Sequence, residues 1–76
     1  MKDILQTIIE SLVEEKDKIK INEVQNEKET VFEVKVASSD MGRVIGKEGR
    51  IAKAIRSIFK AIASKEHKRV TIEFLD

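Results

Sequence analysis

The chain contains no cysteine, proline, tryptophan or tyrosine, and its aromatic residues are three phenylalanines. Without cysteine, neither a disulfide framework nor a thiolate metal site can form. Without proline, the pattern is one of regular elements joined by short turns. Without tyrosine or tryptophan, the stacking platforms of many single-strand binders are missing. No apolar run approaches the ~20 residues of a membrane span, and the N-terminus lacks a signal-peptide pattern, so the expected setting is the cytoplasm. Seventy-six residues make one expected domain, residues 1–76, near the lower size at which a core holds a fold unaided. Ile, Val, Leu and Phe must supply that core.

Net charge is +1, but its distribution is polar. Residues 1–33 carry five basic against nine acidic residues, and residues 34–76 carry ten against five. Within 43–69, nine basic residues face only Glu48 and Glu66. Such a division can place an anionic ligand on one side of a molecule. Charge also scatters unevenly in any short chain, where a basic run is a solvated face.

Ile4, Leu5, Ile8, Ile9, Leu12 and Val13 recur at helical spacing and predict a helix over roughly residues 3–16, with Glu10, Glu14 and Glu15 opposite. Lys18 to Asn22 alternates like a strand, and Glu23-Val24 breaks the period as a bulge would. Asn26 to Glu29 reads as a polar turn. After it, Phe32, Val34 and Val36 point one way and Val31, Glu33 and Lys35 the other, completing a hairpin. Asp40 is the expected N-cap of a short helix, Met41 to Ile45. A longer helix runs to about Ser64, with Ile51, Ile55, Ile58 and Ile62 on one stripe and Ala52, Phe59 and Ala63 beside it. Val70, Ile72 and Phe74 then alternate with Thr71, Glu73 and Leu75 in a last strand.

The order helix–strand–strand–helix–helix–strand implies an α+β fold. A hairpin followed by a right-handed crossover gives a three-stranded mixed sheet, order 1-2-3, with three helices on one face. The other face would show Lys20, Glu33, Lys35, Thr71 and Glu73, with Val31 and Leu75 as apolar exceptions.

Two glycines interrupt the helical region in Val44-Ile45-Gly46-Lys47-Glu48-Gly49-Arg50-Ile51. Glycine lets another backbone approach closely, having no Cβ, and Arg43, Lys47 and Arg50 suggest a phosphodiester. The spacing is not that of a P-loop, which needs four residues between its glycines and then Lys-Ser/Thr. His67, with Ser38, Ser39 or Thr71, makes no catalytic constellation, and a lone histidine makes no metal site. A non-enzyme is expected.

The same stretch resembles the K-homology (KH) domain, whose core is apolar-Ile-Gly-x-x-Gly-x-x-apolar. Here Ile51 comes one position early and Ala52 takes the third place. The element order resembles the type II arrangement, and Asp40 to Arg56 is similar to the KhpA family of small bacterial KH proteins. The resemblance implies that Gly46, Lys47, Glu48 and Gly49 clamp the backbone of about four nucleotides of single-stranded RNA. Arg43 and Arg50 would add positive charge, and Ile45 and Ile51 an apolar floor. Glu48 sets a carboxylate inside the loop, explained most simply as a helix N-terminal acid. Arg50, Lys53, Arg56 and Lys60 read as a solvated stripe. Lys65, His67, Lys68 and Arg69 read first as complements to a helix dipole and second as an RNA contact.

One such loop binds weakly, so a second KH surface is expected to raise the affinity. The resemblance implies pairing with itself or with a KhpB (Jag)-type KH protein, an RNA-chaperone role, and a link to cell-wall growth and cell shape. The competing reading is a protein-interaction or dimerisation module with this fold and little RNA affinity.

Overall fold

The computed structural model describes residues 1–75. Helix α1 (Lys2–Leu12) leads into strands β1 (Lys20–Gln25) and β2 (Glu29–Lys35). Helices α2 (Met41–Ile45) and α3 (Arg50–Lys65) follow, and strand β3 (Arg69–Leu75) closes the described chain. The sheet order is β1-β2-β3, antiparallel then parallel. This is the expected mixed sheet. Alternation along β2 turns Phe32 and Val34 toward the helices, with Val36 buried just beyond the strand. They meet Leu5 and Ile9 of α1, Val44 of α2, Ile55 and Phe59 of α3, and Ile72 of β3. Phe32 and Phe59 pack edge to face at the centre, their centroids 6.3 Å apart.

The hairpin turn is held by Asn26, whose Oδ1 accepts from the backbone N–H groups of Lys28 and Glu29. That is an Asx turn, a conformation asparagine favours because its side chain mimics a backbone carbonyl. The expected bulge at Glu23-Val24 is absent: β1 pairs with β2 without a break from Lys20↔Lys35 to Gln25↔Thr30. The strand also starts and ends later than its alternation implied. As an edge strand with Glu23, Val24 and Gln25 all exposed, it owes no burial period to a second layer.

Helix α1 ends at Leu12 rather than near residue 16, because a side chain from elsewhere captures the backbone there. Val13 is extended, and the N–H groups of Glu14 and Glu15 donate to Asp40 Oδ1 and Oδ2 at 3.1 and 3.0 Å. Asp40 does stand immediately before α2, yet its side chain makes no capping bond to that helix. Instead it is buried and ties the end of α1 to the start of α2. These bonds, with Arg43 beside them, hold its pKa below the ordinary aspartate value against the opposing effect of burial.

Helix α3 is rotated relative to its isoleucine stripe. Its buried residues are Ala52, Ile55, Phe59 and Ala63, while Ile58 is 49% exposed. The alanines let the helix lie close to the sheet, and the larger isoleucines fall to one flank. Ile4 of α1 is likewise exposed. Phe74 is only half-buried, and the Arg56 guanidinium lies 5.4 Å from its ring centroid.

Candidate nucleic-acid interface

Helix α2 and helix α3 are separated by one tight turn, Lys47–Gly49. Gly46 ends α2 with its N–H on the Gly42 carbonyl at 2.9 Å. Its φ of 77° and ψ of 172° lie in a region open essentially to glycine alone. A Cβ there would also stand 2.6 Å from Ile51 Cγ1 and 2.9 Å from Ile51 N. Gly46 is therefore required twice, by conformation and by the closeness of α3. Gly49 is left-handed at φ 74° and donates to the Gly46 carbonyl at 3.1 Å. Space around it is freer, the nearest heavy atom to an added Cβ being Lys53 Cε at 3.9 Å.

Glu48, between them, is also left-handed, with φ 57° and ψ 25°, which costs an L-residue with a long side chain roughly 1–2 kcal/mol. It stands one residue before the cap position of α3 and makes no capping bond, so its service to that helix is through the dipole. Gly49 holds the cap position and no side chain bonds the first turn of α3. The Glu48 carboxylate instead approaches Arg50 Nη2 at 3.6 Å, with both side chains exposed. A surface pair of this kind is worth about 0–1 kcal/mol, so Arg50 can exchange it readily for a phosphate. Lys47 is exposed and has no acidic partner among the described residues. Ile45 and Ile51 are half-buried, resting on the core with part of each side chain open beside the loop.

Arg43 is placed differently from the other expected site residues. Its Nη2 meets Glu14 Oε1 at 2.7 Å and its Nη1 meets Asp40 Oδ1 at 2.9 Å. The guanidinium thus braces the junction between α1 and α2 and is not free toward the loop. Lys53 takes the opposite course. Expected on a solvated stripe, it lies over the bare Cα of Gly49. The i,i+4 relation between Gly49 and Lys53 was the available signal, since residues so spaced share a helix face. Arg56 is engaged too, its Nε donating to the Ile72 carbonyl on the outer edge of β3 at 3.1 Å.

The result is a loop of two glycines at the start of a sixteen-residue helix, with Lys47, Arg50 and Lys53 around it. Such an arrangement has the chemistry to receive an extended anion: the positive end of the helix dipole attracts negative charge, and the missing Cβ atoms leave room for a sugar-phosphate at van der Waals distance. Among the described residues no three of His, Cys, Asp or Glu converge on a metal position, and no helix is long and apolar enough to cross a membrane.

The sequence profile of the "KhpA/KhpB, KH domain" family matches residues 2–74. The chain belongs to the KhpA/KhpB KH-domain family. Its helix–strand–strand–helix–helix–strand order is the type II KH arrangement. Among curated relatives, the RNA-binding protein KhpA of Clostridium acetobutylicum is 53% identical over 75 residues, covering 99% of this chain and all of that protein. The RNA-binding protein KhpA of Aquifex aeolicus is 45% identical over 76 residues, covering all of this chain and 96% of its own. That of Borreliella burgdorferi is 43% identical over 74 residues, covering 97% and 90%. No solved structure matches at a significant level. Membership in the KhpA/KhpB family places the chain among binding domains, not enzymes.

Proposed function

We propose that this chain binds single-stranded RNA, with Gly46, Lys47, Glu48 and Gly49 clamping the sugar-phosphate backbone. Arg50 and Lys53 supply positive charge and Ile45 and Ile51 form the floor beneath the bases. The observation that carries this reading is Gly46. The chain holds a glycine-only conformation against Ile51, at the one point where the helices open, and sets cations around it. Arg43 contributes indirectly, by fixing α2. The relatives named RNA-binding protein KhpA support the ligand class.

The finer reading rests on the family resemblance: an RNA chaperone and post-transcriptional regulator in the cytoplasm, bearing on cell-wall growth and cell shape. It works there with a KhpB (Jag)-type KH protein or with a second copy of itself. One feature of the surface supports a paired state. The α3 flank carrying the exposed Ile58, with Ile62 half-buried one turn on, is apolar and unpartnered in the single chain.

Fluorescence anisotropy with short single-stranded RNA across a salt series tests the clamp, comparing the wild type with Lys47→Asp, Glu48→Asp. Aspartate tolerates the left-handed conformation at position 48, so the variant should fold. The wild type is expected to bind with an affinity that falls with salt, by about 0.7 log units per decade for each phosphate neutralised, and the variant not to bind. Equal binding by both proteins would remove the clamp. No binding by either would favour the protein-interaction reading.

A further inference from the structure

One cluster of basic groups is untouched by the loop. At the far end of α3 an open cleft of about 740 Å³ is lined by Lys60, Ser64, His67, Lys68, Arg69 and Glu29 among others. We propose that this cleft is a second contact for the nucleic-acid backbone, reached along the β3-side flank of α3, so that the chain holds a strand at both ends of that helix. The proposal rests on the RNA-binding reading of the loop and extends it.

The path between the two ends is built. Lys53, Arg56, Lys60 and Ser64 are spaced by three, four and four, which sets them in one row along the helix. Lys53 lies over Gly49 at one end. Arg56 is fixed midway by the Ile72 carbonyl and the Phe74 ring, leaving its two Nη groups to donate elsewhere. Lys60 and Ser64 open into the cleft. Over sixteen residues the helix is about 24 Å long, room for roughly seven stacked nucleotides at 3.4 Å each.

The cleft's charge is not spent on the fold. In the last turn of α3 the basic residue is Lys65, which answers the negative end of the dipole and lies outside the lining. Lys60, Lys68 and Arg69 make no ion pair among the described residues. Glu29, the one lining acid, is turned to Thr71, which donates to it at 3.5 Å. His67 adds an exposed ring. It occupies the left-handed position after α3, at φ 58°, where glycine is the usual residue, and an imidazole there can stack on a base.

Salt titrations with a five-nucleotide and a twelve-nucleotide single-stranded RNA separate this idea from simple statistics. Extra registers on a longer strand raise affinity without steepening the salt dependence. A second contact adds about 0.7 to the slope per phosphate. The wild type is expected to show a steeper slope on the twelve-mer by one to two phosphates' worth. Lys60→Gln, Lys68→Gln should abolish that difference and leave five-mer binding unchanged. His67→Gly keeps the helix end intact and should weaken the twelve-mer several-fold only. Equal slopes on both RNAs, or an equal loss on both in the variants, would overturn the second contact while leaving the clamp standing. Binding to neither RNA would overturn both readings.

Discussion

A methyl group at Gly46 would meet Ile51 Cγ1 at 2.6 Å, one at Gly49 nothing closer than 3.9 Å, and one at Gly42 nothing within 4 Å. Three alanine substitutions should therefore differ widely in urea denaturation. Gly46→Ala combines overlap with a glycine-only conformation and is expected to cost roughly 2–4 kcal/mol. Gly49→Ala has only the left-handed backbone against it, about 1–2 kcal/mol. Gly42→Ala, in helical conformation and open space, should gain about 0.5–1 kcal/mol. Glu48→Gly belongs to the same series, relieving a left-handed glutamate for a gain near 1 kcal/mol. It should also tighten RNA binding, by removing the carboxylate that stands by Arg50. If Glu48→Gly weakens binding, the glutamate is a contact and not an obstacle. The glycine pair was readable from its motif. The αL strain at Glu48 was not, because glutamate carries no local signal for that conformation.

At the scale of elements, the decisive bond is the one between segments far apart in sequence. Asp40 gathers two backbone N–H groups from residues 14–15 and the Arg43 guanidinium, and its folded pKa lies below the unfolded value. A carboxylate so shifted contributes stability in full above the ordinary aspartate range, near pH 4. That contribution is lost as pH falls through the lowered folded pKa. Urea midpoints measured from pH 6 to pH 2 should show this acid loss in the wild type. In Asp40→Asn the protein should start less stable and lose less on acidification. An unchanged acid limb in the variant would assign the loss to other carboxylates. Sequence periodicity placed α1, α2 and α3, since apolar spacing reports local geometry. It missed where α1 stops, because that depends on Asp40. It also missed which side of α3 is inside, because Ala52 and Ala63 owe their burial to how closely the helix meets the sheet.

For the molecule as a whole, the two flanks of α3 carry opposite chemistry. Arg56, Lys60 and Ser64 lie toward β3, and Ile58 with the half-buried Ile62 lies on the other side. Ile58→Asp should cost about 1 kcal/mol, a few degrees in the thermal melt, since the side chain is half in water, and should lower the sedimentation-derived mass if this flank joins two copies. A mass already monomeric in the wild type would put the second KH surface on a different protein. The division into an acidic N-terminal and a basic C-terminal part was plain in the sequence. That the basic residues line up beside one sheet edge required the crossover to be folded.

The parallel pairing of β2 with β3 joins residues forty apart, from Glu29↔Arg69 to Lys35↔Leu75, whereas the hairpin joins close neighbours. Long-range pairing is the slow part of folding, because its loop-closure entropy is spent before its contacts form. Here the loop to be closed contains Gly46 and Gly49 themselves. Closing the sheet therefore fixes both ends of the segment that carries the proposed clamp, and an RNA strand held there is expected to slow the release of β3. Amide hydrogens of β3 that pair with β2 would then exchange more slowly in the complex.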